Sequence, residues 1–175
     1  ELSNGPFTGS ISPMMLKSIG SKYVIIGHSE NRVSGDTNQI INLKIKSAIK
    51  NNLNIIFCFG ETLNEKKNKK TNQVLKKQIE KGLQSIKNKS KIIIAYEPVW
   101  SIGTGLIPKS EDLIKSVLFI RNRFGKKSPK ILYGGSVNGD NINQLKNIKS
   151  IDGFLIGGAS QDPKKIIDII KKTYI

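Results

Sequence analysis

Two side chains of this sequence are placed where they could move a proton. His28, the only histidine, and Glu97 each follow a short apolar segment, and Pro98 stiffens the chain directly after Glu97. A carboxylate at the end of an apolar segment loses water, which raises its pKa toward the working range of a general base. Each residue also has a structural interpretation, His28 as a hydrogen-bonding group and Glu97 as an ion-paired glutamate.

Two glycine pairs later in the chain suit an anion. Gly134-Gly135-Ser136 and Gly157-Gly158 each follow an apolar segment. Without Cβ atoms, their backbone N–H groups can converge on phosphate oxygens. One such pair could equally be a turn, because turns also favour glycine. The segment from Pro98 to Ile107 has stiff ends and a Gly103-Thr104-Gly105 centre, which predicts a closing lid beside the same site.

The elements that must position these residues repeat along the chain. Five apolar runs without polar alternation predict strands buried on both faces, as in a parallel sheet. Amphipathic patterns between them predict helices, so strand and helix alternate at about 30-residue spacing. We expect one domain over residues 1–175. The predicted strands contain Tyr23–Ile26, Ile55–Phe59, Ile92–Tyr96, Ile131–Tyr133 and Phe154–Ile156.

The pattern alone leaves two folds open. A (β/α)8 barrel has eight strands and about 250 residues, whereas a doubly wound sheet of five strands would be complete. In both folds the chemistry lies at the carboxyl ends of the strands. His28, Glu97 and both glycine pairs come at those ends.

Charge and composition limit the class of protein. The formal net charge is +16, which is compatible with a polyanionic partner, but the lysines are spread along the chain and aromatic content is 6%. We interpret them as a solvated surface and expect no nucleic-acid or membrane partner. The single cysteine, Cys58, suits a cytoplasmic location. No ligand-spaced Cys, His or Asp cluster is present, so we expect neither metal nor cofactor.

Six motifs occur in order along nearly the whole chain, namely Tyr23–Glu30, Ala95–Trp100, Ile102–Gly105, Tyr133–Val137, Asp152-Gly153 and Gly157–Ser160. These motifs resemble those of the triosephosphate isomerase family. The resemblance implies a (β/α)8 TIM barrel, of which the chain holds the fourth to the eighth βα units. It also implies an isomerase that interconverts dihydroxyacetone phosphate and D-glyceraldehyde 3-phosphate in glycolysis and gluconeogenesis.

The resemblance assigns roles by motif. His28 is similar to the electrophile that polarises the substrate carbonyl, and Glu97 to the base. Ser29 and Glu30 resemble residues that support the site, and Thr8 resembles a loop tip that enters the partner of a homodimer. Gly103, Ser136, Gly157 and Gly158 resemble the phosphate donors, and Pro98, Val99, Trp100, Ser101, Ile102, Gly103, Thr104 and Gly105 the lid.

One family motif has no counterpart. The family's first strand carries an Asn-x-Lys motif whose lysine stabilises negative charge on the substrate, and no such segment occurs here. We therefore expect strands one to three of the barrel to be missing and the truncated chain to be inactive by itself. A charge network of Glu30, Arg32 and Glu61 is expected beneath the site. The alternatives are another phosphate-binding barrel enzyme, which would not need the glutamate and lid, and a nucleic-acid-binding protein.

Overall fold

A parallel sheet organises the structure, which is a computed structural model describing residues 5–6 and 8–174. Within these residues, five strands hydrogen-bond in the order in which they occur along the chain, β1-β2-β3-β4-β5, and every neighbouring pair is parallel. The strands are β1 Tyr23–Ile26, β2 Asn54–Phe59, β3 Ile92–Tyr96, β4 Ile131–Tyr133 and β5 Gly153–Phe154.

Helices connect the strands. Ser12 caps the first helix by accepting a hydrogen bond from the Met15 N–H, and Thr62 forms a reciprocal capping box with Glu65. Asp162 accepts from the Lys164 N–H at the start of the last helix. The helices are α1 Pro13–Ser18, α2 Ser29–Val33, α3 Asn38–Lys50, α4 Leu63–Lys67, α5 Thr71–Gly82, α6 Ser110–Asn122, α7 Ile142–Lys146 and α8 Pro163–Tyr174.

Strand order decides between the two folds that the pattern left open. A doubly wound sheet reverses direction at a switch point, so strands adjacent in sequence are not always neighbours. Here each strand pairs with the next one along the chain, which is the arrangement of a (β/α) barrel. The parallel prediction is confirmed.

The core lies between the sheet and the helices that cover one face. Ile45 of α3, Phe57 of β2, Leu75 of α5 and Val117 of α6 are fully buried there. Each such side chain stabilises the fold by about 1.5–3 kcal/mol relative to exposure. α5 packs so closely that a Cβ on Gly82 would lie 2.5 Å from the Phe57 ring.

The prediction that all strands are buried on both faces is wrong for β1. Tyr23 is 53% exposed and Ile25 48% exposed, because β1 is an edge strand and its inner face has no opposing layer among the described residues. β5 is also shorter than predicted. It ends at Phe154, although Leu155 still donates a backbone hydrogen bond to Tyr133.

Two helix boundaries bear on the core and on the helix dipole. α5 ends at Gly82, and Leu83 and Ile86 are buried in the segment that follows the helix. α6 begins at Ser110, and Lys109 at its N-cap makes no side-chain hydrogen bond to the helix. The acids Glu111 and Asp112 do occupy its first turn, where they suit the helix dipole.

Candidate active site

The site is built at the carboxyl ends of the strands, where the chain leaves the sheet. His28 follows β1 and is the N-cap of α2, while Glu97 follows β3. Gly27 allows the turn before His28, since its φ is +85° and a Cβ would lie 2.7 Å from the Cys58 carbonyl oxygen. The folding of β1 and β3 into one sheet therefore brings together two residues 69 positions apart.

His28 and Glu97 face one another across a cavity. His28 Nε2 lies 3.8 Å from Glu97 Oε1, and the side chain of His28 is 25% exposed whereas that of Glu97 is 3% exposed. The cavity holds about 480 Å³ and is also lined by the phosphate-loop candidates. A larger groove of about 1070 Å³ lies at the amino ends of the strands and contains none of the predicted site residues.

Glu97 is poised as a base. Burial raises its pKa to about 7, and the nearby charge of Glu30 adds to the increase, while a hydrogen bond with the Cys58 thiol and the charge of Arg32 oppose it. A carboxylate that titrates near neutral pH can both accept and return a proton. The sequence predicted that loss of water would raise the pKa of Glu97, and both the direction of the change and its main cause agree with that prediction.

Two glycines lie so close to Glu97 that neither position has room for a side chain. A Cβ on Gly60 would lie 1.9 Å from the Glu97 carbonyl oxygen, and one on Gly134 would lie 2.7 Å from its Cγ. The Glu97 N–H donates to the Phe59 carbonyl oxygen at 2.9 Å. Both the backbone and the carboxylate are thus held from neighbouring strands, which limits the geometries that the base can adopt.

Cys58 is a neighbour of the base that the sequence analysis did not identify. It pairs in register with Ala95, and alternate residues of a strand share a face, so Cys58 lies on the same side of the sheet as Glu97. It is fully buried, and burial raises the pKa of its thiol, so the group stays protonated. The alternation of β3 could have revealed this contact once the register was known.

The predicted lid, residues 98–105, contributes Ile102, Gly103 and Gly105 to the wall of the cavity. Val99–Ser101 forms a turn of 3-10 helix, and the indole of Trp100 donates to Glu61 Oε1 at 3.0 Å. The Gly105 N–H donates to Ser136 Oγ at 3.0 Å, so the lid touches the first glycine loop. The two lid glycines have φ of +68° and +77°, which supports the predicted role of glycine there.

The space beside the second glycine pair, Gly157 and Gly158, is not filled by other atoms of the described residues. A Cβ added at Gly103, Gly157 or Gly158 would meet no atom within 4 Å. All three residues line the cavity with Ser136, so the structure brings the predicted phosphate residues together. The Ser136 N–H donates to the Ser101 carbonyl oxygen at 3.1 Å in this conformation.

Lys165 was also missed by the sequence analysis. It lies in the first turn of α8 and is the one Lys or Arg among the described residues that line this cavity. A positive charge is unfavourable at the start of a helix, where the dipole is positive. That unfavourable position was the available signal that Lys165 has a role at the cavity.

The expected charge network is wrong. In the described part of the chain, Glu30, Arg32 and Glu61 form no ion pair with one another. Arg32 donates to the carbonyl oxygens of Gly27 and Cys58, at 2.7 and 3.1 Å. Glu61 accepts from Trp100 and from the Tyr96 hydroxyl, and burial raises its pKa.

The remaining candidates lie outside the cavity. Ser29 is half-buried, and Glu30 is exposed with Oε2 3.9 Å from His28 Nδ1. Thr8 is exposed, while its sequence neighbours Asn4 and Phe7 lie outside the described residues.

Lys66 does more than form solvated surface. Its ammonium lies 3.9 Å from the centre of the Trp100 ring, which is the geometry of a cation–π contact.

The described residues contain neither a metal-type cluster of side chains nor a helix that could span a membrane. Across residues 5–6 and 8–174, no three His, Cys, Asp or Glu side chains are grouped as a metal site would require. No helix in the same residues is both long and apolar enough to cross a membrane. The absence of a cofactor stays a prediction.

We expect His28 to carry its proton on Nε2. Nδ1 accepts a hydrogen bond from the Glu30 N–H at 3.4 Å, and a nitrogen that accepts cannot hold a proton. The ring would then present an N–H donor to the cavity. ¹⁵N NMR at pH 7 should show an unprotonated Nδ1, with the signal assigned from the single histidine. A protonated Nδ1 would contradict this tautomer.

Comparison with known proteins identifies relatives along the chain. The family described as Triosephosphate isomerase matches residues 1–173. A triosephosphate isomerase of Thermodesulfovibrio yellowstonii is 47% identical over 174 residues, 95% of this chain and 71% of that protein. One of Mycoplasma mobile is 47% identical over 96% of this chain and 69% of the relative. One of Yarrowia lipolytica is 43% identical over 95% and 70%.

Proposed function

The chain belongs to the triosephosphate isomerase family, and we propose that its Glu97 and His28 carry out the proton transfer of that isomerase. The substrate is a phosphorylated triose, and the reaction interconverts dihydroxyacetone phosphate and D-glyceraldehyde 3-phosphate. The observation that carries the proposal is the buried carboxylate of Glu97, 3.8 Å from His28 Nε2 in a cavity lined by the glycine loops.

The reaction needs a base and a hydrogen-bond donor at adjacent positions. Glu97 removes a proton from the carbon next to the carbonyl, and the electron pair of the broken C–H bond forms the C=C bond of an enediolate. His28 Nε2–H donates to the oxygen on which negative charge develops. Glu97 then gives that proton to the former carbonyl carbon. The proton of the other hydroxyl passes to the former carbonyl oxygen, and the carbon that was deprotonated becomes the new carbonyl, so atoms and charge balance. A glutamate base with a neutral histidine is the arrangement known for this family.

The glycine loops would hold the phosphate dianion. Gly157, Gly158 and Gly103 line the cavity with open space above each Cα, so a phosphate oxygen can approach their N–H groups closely. Holding the dianion orients the triose between His28 and Glu97. Closing residues 98–105 over it would exclude water from the enediolate.

The described strands correspond, in this proposal, to the fourth to eighth strands of the barrel. Tests of activity therefore use a completed protein, in which the amino-terminal part of the Thermodesulfovibrio yellowstonii relative precedes Glu1. We further propose a cytoplasmic homodimer that acts in glycolysis, with Thr8 at the contact between subunits. Thr8 is exposed, as such a contact requires.

The direct test measures isomerisation by the completed protein in both directions. We expect turnover with both trioses and none with an unphosphorylated triose at the same concentration, because the dianion is needed for orientation. Equal turnover of the phosphorylated and unphosphorylated trioses would contradict the proposal. The absence of turnover in a folded, completed protein would contradict it as well.

Gly158→Val should weaken a phosphate-ester inhibitor by at least about tenfold in the completed protein. The added side chain would project into the space that the phosphate would fill, since nothing lies within 4 Å of a Cβ there. Lys77→Ala is the matched control, because Lys77 is exposed on α5, away from the cavity. Inhibitor dissociation constants from calorimetry provide the measurement. An equal loss of inhibitor affinity in both variants would instead indicate that the phosphate is bound by the basic surface as a whole.

A further inference from the structure

The amino-end groove, at the opposite end of the strands from Glu97, concentrates positive charge. It holds about 1070 Å³, and six of its lining residues are basic whereas one, Glu80, is acidic. The basic residues come from the segment between α5 and β3 and from the segment between α6 and β4. They are Lys87, Lys89, Lys91, Arg123, Lys127 and Lys130.

The five lysines of this groove have no counter-charge in the described part of the chain. Arg123 pairs with Glu80, but the ion pairs that Lys and Arg form with Asp or Glu there include none of the five lysines. Lys91 donates to Asn52 Oδ1, which is a neutral group. Like charges repel one another, and a cleft lined by one sign of charge focuses the electric field. The groove therefore attracts anions.

The sheet fixes the backbone of both lysine segments. The Ile55 N–H donates to the Lys91 carbonyl oxygen at 2.8 Å, and the Ile94 N–H donates to the Lys130 carbonyl oxygen at 2.9 Å. β3 and β4 each have a paired strand on both sides, so completing the barrel adds strands beside β1 and β5 and leaves the two segments in place. The groove is thus a feature of the completed protein as well.

The lining residues favour phosphate over other anionic groups. Lysine binds phosphate as a point charge, whereas the planar fork of arginine matches carboxylates, and Arg123 is already paired with the Glu80 carboxylate. Nucleic acids also need exposed aromatic rings on which bases stack. Of the two aromatic lining residues, Phe124 is half-buried and Tyr23 lies on the edge strand β1. A flat membrane surface would not enter a concave groove.

We propose that the amino-end groove binds a linear inorganic polyphosphate, whose closely spaced negative charges meet the five lysines. Because the lysines come from two segments, a chain of phosphates that contacts both is bound more tightly than a single phosphate group. The groove shares no lining residue with the cavity of Glu97 and the glycine loops. The inference therefore does not depend on the proposed isomerase function.

The test measures binding of long-chain polyphosphate to the completed protein by calorimetry, with the catalytic cavity filled by a phosphate-ester inhibitor. We expect the double variants Lys87→Gln/Lys89→Gln and Lys127→Gln/Lys130→Gln each to weaken binding by at least about tenfold. The slope of log affinity against log salt concentration should fall in magnitude by about one, because fewer phosphates are neutralised. The two variants change different segments, so either one tests the site if the other fails to fold.

Lys46→Gln/Lys50→Gln is the matched control. Both lysines are exposed on α3 and lie outside the groove, so this double variant removes the same charge from another surface. We expect it to bind polyphosphate within about twofold of the parent, since distant exposed charges are screened by salt. Turnover should be unchanged in the control and in both groove variants, because none of these lysines lines the cavity of Glu97.

The outcomes separate a built site from a basic surface. A loss of affinity confined to the groove variants supports the proposal. An equal loss in the control variant, or no binding by the parent, overturns it. Equally tight binding of a single-stranded RNA or of a polyglutamate peptide also overturns it, since the groove would then not select phosphate chains. Polyphosphate binding without isomerase activity would contradict the proposed function and leave this site standing.

Discussion

Glu97→Asp is expected to lower kcat of the completed protein by at least about 100-fold, with little change in KM. The substitution withdraws the carboxylate by one methylene, and displacements near 1 Å in a reacting pair cost about that factor. Glu97 is 3% exposed, so its backbone and neighbours leave little freedom to restore the distance. In the proposed function the glycine loops supply most of the substrate affinity, so we expect that affinity to be retained.

The matched control is Glu80→Asp. Glu80 pairs with Arg123 on the surface and lies at the amino-end groove, so shortening it should leave turnover unchanged. Steady-state kinetics in both directions provide the measurement. If Glu97→Asp stayed within a few-fold of the parent, Glu97 would not be the base.

The parent protein should also show the titration of this base. The proposed base must be a carboxylate to accept a proton, and burial raises the pKa of Glu97 to about 7. At lower pH the group is protonated and cannot accept the substrate proton. We therefore expect kcat/KM to rise as the pH increases through about 7 and then to level off. A profile that is flat between pH 5 and 8 would contradict this assignment.

The 175 residues by themselves are expected to have less than about one thousandth of the activity of the completed protein. His28 follows β1, an edge strand whose inner side chains Tyr23 and Ile25 are about half exposed. In the described sheet β1 is hydrogen-bonded to β2 on one side only, so the position of His28 is less restrained than it would be in a closed barrel. The charge-stabilising lysine that the family resemblance predicts has no counterpart in these 175 residues, and single donors of this kind contribute about 10²–10³ in rate.

The same open edges should make the chain associate. β1 and β5 present unpaired backbone groups at the two edges of the described sheet, and unpaired edges pair with other chains. Analytical ultracentrifugation of the chain and of the completed protein would measure this, beside the assay. Adding a free primary amine should not restore turnover, because the geometry of His28 is lost as well. A monodisperse chain with near-parent turnover would show that closure of the barrel is dispensable.

Much of the site could be predicted from local sequence. His28 and Glu97 follow apolar runs, and in a parallel sheet the ends of those runs share one edge whatever the order of the strands. Gly157 and Gly158 stand out because consecutive glycines serve few purposes other than turns and anion sites. These predictions needed no distances. They depend on residue type, on strand polarity and on the positions of single residues.

The contacts of the lid could not be predicted in this way. Ser101 meets Tyr133 across 32 positions, and Lys66 covers Trp100 across 34. Neither pair has a periodic or spacing signal, because their proximity depends on how two loops leave different strands. The exposure of the inner face of β1 could not be predicted either. An apolar strand has the same sequence pattern whether or not another layer of the protein covers it.

The sequence by itself therefore determined the βα repeat, the parallel polarity and the choice of candidate acid–base and glycine residues. These features follow from short-range properties, namely side-chain polarity, periodicity and backbone freedom. Only the tertiary structure decided the strand order, the 3.8 Å approach of His28 to Glu97 and the contact between the Ser101 and Tyr133 hydroxyls. Those depend on the register and packing of segments far apart in the chain, and one-dimensional patterns carry no information about distances between them.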